Sequence, residues 1–479
     1  MRDNTELSDR LFLSYARAAT WHEFSSLVMQ DSDLASLPGV SDALSQLQAV
    51  GSLGGSQFRA ELQRMASNGA DGLVFVATAS FLMAQGLQLS DSEIRRIGED
   101  LAVWESADGG NASARAVCRA LIDYVYGGRA VVLREYDEAG RFLDRALSIL
   151  SPTDCGAFED FVRHLIHYQR SELARERGDY HQASESLSRS LEIVHRWAFA
   201  VPQIHCKRQL AHLLWASGQA QQALMVHRDP EARSIAERAG LSEWLLRSHL
   251  DATKCAIDAK DLDIAREELL AANASLAICS AADRYAGYVT LYSGQVALMN
   301  GDLDHAQSSF ERAVDQFEAL DPADNAGALD AKISLAEFAL YERDYRSFFL
   351  ILEKLVEEAE SKECLDARSR LLVLNAYLFI TDDPPLKEAF GQALQRMHLI
   401  NNPALLLKAL SFLFHYAIRF LGEREQAFVF LRLRNLEDVL EKSCYDSLYR
   451  DYVSAQYEDA MEARLSRILE QDEGSLESE

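Results

Sequence analysis

Tyr288 to Pro322 reads YVTLYSGQVALMNGDLDHAQSSFERAVDQFEALDP. Two amphipathic runs at helical spacing flank Gly301-Asp302, a turn signal, and Asp321-Pro322 closes the second run. Small residues at Gly294 and Ala297 allow the partner helix to approach closely. Ala306, Phe310 and Ala313 alternate small and large along the facing stripe.

The turn phrase in this stretch recurs along the chain. It appears as RxYDEA ending at Ala139, GDYHQA at Ala183, GQAQQA at Ala223, KDLDIA at Ala265, GDLDHA at Ala306, RDYRSF at Phe348 and GEREQA at Ala427. The intervals between closing residues are 44, 40, 42, 41, 42 and 79, the last about twice 40, which implies a degenerate unit near Ala389. Self-similarity at this spacing signals an array of stacked helical hairpins.

These residues resemble the tetratricopeptide repeat family. Gly294 falls where that motif wants a small residue, Gly301-Asp302-Leu303 at its turn, and Ala306, Phe310 and Ala313 at its second-helix signature. Ala139, Leu143 and Ala146, followed by Pro152, repeat the pattern. The mean period of about 41 exceeds the usual 34 and is similar to the long-unit variant of kinesin light chains and of MalT- and Rap-type regulators. The resemblance implies an all-α fold, a right-handed α-solenoid (superhelix) of stacked helical hairpins. Pro230 departs from the pattern and breaks or kinks the second helix of its unit, because it lacks a backbone donor. Phe348 replaces a closing alanine, and Asp382-Asp383-Pro384-Pro385 opens a helix where the phrase has decayed.

Around the array, residues 1–115 form an irregular helical N-terminal cap or docking segment, with SADGGNAS, Ser106 to Ser113, as the boundary loop. Residues 116–440 are the array, and 441–479 a C-terminal capping helix with an acidic tail.

Subtracting 74 acidic from 48 basic residues leaves a formal charge of -26, which repels a phosphate backbone, so no nucleic-acid partner is expected. The aromatics from Phe412 to Phe430 with Arg419, Arg432 and Arg434 are accordingly core residues with solvated charges rather than a base-stacking surface. The apolar tract Leu405 to Leu421 contains Lys408, His415 and Arg419 and reads as a core helix, so no membrane association is expected. The N-terminus carries no secretory pattern, and seven scattered cysteines read as reduced thiols in a cytoplasmic protein. On that basis the sequons at Asn111 and Asn273 are chance.

No P-loop and no G-x-S-x-G elbow occur, so the chain is expected not to be an enzyme and to need no cofactor. His164 and His167, with Cys155 upstream, lack the paired ligands of a zinc motif, and no metal site is expected. Cys206, beside His205 and near His212, reads as a small core residue, since no third group is seen to orient a nucleophile.

In the tetratricopeptide frame the first helix of each unit lines the concave groove. That frame places Tyr168, Glu172 and Arg175, then Arg208, His212 and Trp215, then Arg247 and Lys254, then Tyr288, Leu291 and Gln295, then Glu337 and Tyr341 in the groove. Arg208, Arg247 and Lys254 would form a positive trough for carboxylates, and Trp215, Tyr288 and Tyr341 flat anchors for a peptide. Chaperone-binding relatives want lysine and asparagine where Arg208 and His212 stand, so that partner class is not expected. The function implied is an adaptor or regulator holding a segment of a partner protein, such as a signalling enzyme, protease or transcription regulator. The alternative is a peptide-sensing switch of the Rap type.

Overall fold

The computed structural model describes the chain chiefly from Ala112 to Leu436, with gaps at 134, 151–155, 280, 321–322, 363, 381–386 and 401. The expected N-terminal cap, most of the boundary loop, the Asp382 to Pro385 helix start and the C-terminal cap lie outside the described residues. The last residues of the predicted loop already belong to a helix, which begins at Ala112.

Among the described residues all regular structure is helical. In chain order the helices are α1 (Ala112–Val132), α2 (Tyr136–Ile149), α3 (Ala157–Glu176), α4 (Tyr180–Trp197), α5 (Ala200–Ala216) and α6 (Ala220–His227). Then follow α7 (Pro230–Arg238), α8 (Ser242–Asp258), α9 (Leu262–Leu276), α10 (Ala282–Met299), α11 (Leu303–Glu318) and α12 (Asn325–Tyr341). The chain continues through α13 (Tyr345–Ser361), α14 (Leu365–Tyr377), α15 (Lys387–Arg396), α16 (Pro403–Phe420) and α17 (Glu423–Arg434). Short 3-10 turns follow α14 and α15.

The recurring phrase has a local chemical cause. Its first residue takes the left-handed conformation, as at Gly178, Gly218, Lys260, Gly301 and Arg343. The next residue donates its N–H to a carbonyl five residues back, as Asp302 does to Ala297, and so closes the preceding helix. Where that residue is aspartate, its carboxylate caps the following helix: Asp179 accepts from the N–H of Gln182, Asp261 from Ile264, Asp302 from His305 and Asp344 from Ser347. One aspartate thus ends one helix and starts the next. The closing residue lands inside the hairpin, and Ala139, Ala183, Ala223, Ala265, Ala306 and Phe348 are fully buried.

Two compact units result, one comprising 1–210 with 229–241 and the other 211–228 with 242–479. In the first, α1 pairs with α2 and α3 with α4. Arg145 clamps the first pair through Nε and a second guanidinium nitrogen on the Asp123 carboxylate, at 2.7 and 2.5 Å. Asp160 ties the second, accepting from Trp197 Nε1 at 2.8 Å and from Arg196 at 3.1 Å. Pro230 breaks its rod as expected: α6 stops at His227, and α7 restarts at Pro230 with Asp229 as its cap.

In the second unit α8 pairs with α9, α10 with α11, α12 with α13 and α16 with α17. The first helices also touch in succession, α8 to α10, α12, α14 and α16, making a continuous wall. Close approach depends on glycine at three places. A Cβ on Gly294 would stand 2.6 Å from the Phe310 ring, and one on Gly287 or Gly327 would collide with the ring of Phe317. Helix α16, whose length and composition alone would let it cross a membrane, buries Leu407, Leu410, Leu413 and Phe414 in the core.

Candidate functional site

The wall presents one register repeated from helix to helix. On α8 it holds Arg247, Asp251, Lys254 and Asp258, on α10 Tyr288, Tyr292 and Gln295, and on α12 Asp330, Ser334, Glu337 and Tyr341. On α14 it holds Arg370, Leu374 and Tyr377, and on α16 Lys408, Phe412 and His415. These steps of four and three residues keep one helical face toward the same side.

Most predicted groove residues in this unit fall on that register, but engaged with neighbours. Trp215 Nε1 donates to Asp258 Oδ2 at 2.5 Å, and Lys254 Nζ stands 4.1 Å over the same indole. Tyr288 donates its hydroxyl to Asp324 at 2.8 Å and sets its ring edge-on to Phe317 at 4.7 Å. Burial and the neighbouring Asp324 carboxylate push its phenol well above its ordinary pKa. Gln295 donates to Ser334 Oγ at 3.1 Å. His212 Nε2 lies 3.3 Å from Asp251 Oδ2. Arg247 and Tyr341 remain exposed.

Two expectations need correcting. Leu291 is buried, and the register, stepping by four from Tyr288, falls on Tyr292, which is buried as well. The expected positive trough is instead a mixed surface with carboxylates at its centre. Asp251 sits between Arg247 and Lys254 on α8, Asp258 follows Lys254, and Asp330 and Glu337 hold the register on α12. Arg370 is bound there, 2.8 Å from Asp330 and 3.6 Å from Glu337. Burial disfavours its charge, but Asp330, Glu337 and Asp258 outweigh burial and hold it protonated.

In the first unit, Tyr168 donates to Glu172 at 3.3 Å, and Arg175 is paired with Glu176. Arg208 is half-buried and acts electrostatically on Tyr168. Cys206 meets neither of the histidines considered from sequence. Its Sγ lies 3.4 Å from Ser190 Oγ and 4.0 Å from His164 Nδ1, and burial pushes the thiol up to about 12. A protonated, enclosed thiol is a poor nucleophile. His164, bonded to Ser190 at 2.7 Å, is pushed down to about 3 by burial, and His167 likewise to about 4.

Sequence reasoning missed the end of the wall. Between α12, α14 and α16 lies a cavity of about 650 Å³. Leu340, Val373, Leu374, Ile380 and Phe412 make its apolar floor, and Glu337, Lys408 and His415 bring charge or polarity to its lining. Tyr341, a predicted anchor, and Tyr377 stand at its edge, both partly exposed. The signal was present, since 370, 374 and 377 and 408, 412 and 415 continue the four-and-three register. The frame failed there because it was anchored on a turn phrase that decays after Arg343.

Of the aromatics from Phe412 to Phe430, Phe412, Phe414, Tyr416 and Phe430 are buried. Phe420 and Phe428 are half exposed, beneath the guanidinium groups of Arg419 and Arg432.

No protein-family model matches the chain, and no curated protein matches it in sequence. Among solved structures it is similar to a Rap protein complexed with competence and sporulation factor, at 12% identity and a TM-score of 0.53, covering 80% of this chain and 97% of that one. It is also similar to NprR in complex with its cognate peptide NprX, at 12% identity and a TM-score of 0.55, covering 75% and 98%. The likeness is one of fold, stacked helical hairpins.

Proposed function

We propose that this chain is a non-catalytic, cytoplasmic regulator that senses a short peptide along the wall of its second unit. The carrying observation is the repeated register that ends in the 650 Å³ cavity. A cleft of that size, apolar with a few charged groups, lies in the range of ligand pockets and has room for a large apolar side chain of a peptide together with its neighbours. The carboxylates of Asp258, Asp330 and Glu337 favour a peptide with a basic group a few residues from its apolar anchor, reversing the acidic ligand that a positive trough would take. NprR was solved with its cognate peptide bound and a Rap protein with competence and sporulation factor, and their likeness in fold supports the reading by analogy.

A display library of random short peptides tests it. The wild-type chain should enrich basic peptides with one large apolar residue. Tyr341→Ala combined with Glu337→Lys should reduce binding of the enriched peptides at least tenfold, since it removes an edge ring of the cavity and reverses one of the carboxylates that attract the basic group. Absence of enrichment, or enrichment untouched by that double change, would refute the site.

The second reading is an adaptor that holds a partner protein's segment without changing shape. The capped, closely packed hairpins favour it, since a rigid receptor loses little freedom on binding. Small-angle scattering with an enriched peptide separates the two. A fall in radius identifies a switch, and an unchanged radius an adaptor.

A further inference from the structure

We propose that His212, His227 and Asp251 form a binding site for a divalent transition-metal ion of the zinc class. His212 comes from α5, His227 from the last turn of α6, and Asp251 from α8. Their donor atoms all lie within 4.8 Å of one another. His212 Nε2 and Asp251 Oδ2 are 3.3 Å apart, and the two imidazoles meet edge to face with centroids 5.7 Å apart.

Donors bound to a tetrahedral ion at about 2.1 Å are separated by about 3.4 Å. The His212 and Asp251 pair already has that spacing, and the His227 donor stands within 4.8 Å of both. Three separate helices supply the set, so no helix-local pairing accounts for the convergence. Two imidazoles and one carboxylate suit zinc and its neighbours in the transition series rather than magnesium or calcium, which take oxygen ligands.

The surroundings fit an ion held on one side and open on the other. His227 is 4% exposed, whereas the His212 and Asp251 side chains are 27% and 20% exposed, leaving a further coordination position for water. The backbone at His227 is fixed: Ser248 Oγ donates to its carbonyl oxygen at 3.0 Å, and Pro230 at the start of α7 keeps α6 from running on. Sequence inspection could not find the set, because positions 212, 227 and 251 have no metal-motif spacing and meet only when α5, α6 and α8 pack. The proposal is independent of the peptide reading.

The test uses untagged, chelator-stripped full-length protein titrated with zinc chloride in a calorimeter, with bound metal measured after dialysis. One ion per chain and a raised thermal midpoint are expected, with magnesium chloride giving neither. His227→Gln and Asp251→Asn should each weaken zinc binding at least tenfold, and His305→Gln, at an exposed histidine of α11, should leave it unchanged. If His227→Gln fails to fold, Asp251→Asn, at a partly exposed position, decides alone. No retained zinc, or binding indifferent to Asp251→Asn, overturns the site.

Discussion

The α10–α11 hairpin and the α14–α15 segment belong to the same unit, yet they solve the repeat differently. In the first, Gly301 turns left-handed, Asp302 caps α11, and Gly287 and Gly294 let the rings of Phe317 and Phe310 press against the backbone. In the second the phrase is gone. Helix α14 runs into a 3-10 turn, α15 has only 10 residues, and a Cβ on its Gly391 would meet nothing within 4 Å. The cavity borders α14. Where the repeat is intact, small residues and rings consume the space between helices; where it decays, space remains open between them.

The sharpest way to break this comparison is to truncate an aromatic in each region and compare urea unfolding midpoints. Phe317→Ala should cost about 3 to 5 kcal/mol, because its buried ring is held between α10 and α12 and leaves a cavity. Tyr377→Ala should cost about 1 kcal/mol, chiefly its edge-on contact with Phe412. Equal losses would show that the decayed region is packed as tightly as the intact one.

Adding a single methyl group sharpens it further. Gly327→Ala should destabilise by about 2 kcal/mol, since the new Cβ runs into Phe317 and overpacks the interface. Gly391→Ala, in open space on α15, should stabilise by about 1 kcal/mol through helix propensity. Two identical changes would then have opposite signs.

The smallest effect concerns the turn itself. Arg343 holds a left-handed conformation that Gly301 adopts without strain. Arg343→Gly should raise the midpoint by an amount equivalent to about 0.5 kcal/mol, the relief of strain less the entropy that glycine loses on folding. A lower midpoint would mean that the arginine side chain contributes more than its backbone costs.

The hairpins were legible in the sequence because their causes are local. A left-handed residue, an aspartate serving two helices and an alanine four positions later act within six residues of chain. The groove was half legible for the same reason. Trp215, Lys254, Tyr288 and Gln295 follow from counting along the phrase, and the count failed at Leu291 and beyond Arg343. The acidic centre escaped because Asp258, Asp330 and Glu337 look like ordinary solvated charges until Arg370 is folded onto them from another repeat.

Taken alone, the sequence determined that the chain is an array of stacked helical hairpins and where most of its turns fall, since those depend on backbone conformation and capping between near neighbours. Tertiary structure alone decided the charge of the wall, the cavity at its end and the meeting of His212, His227 and Asp251. Each of those joins residues from different hairpins, and no local rule reports which side chains will share a space.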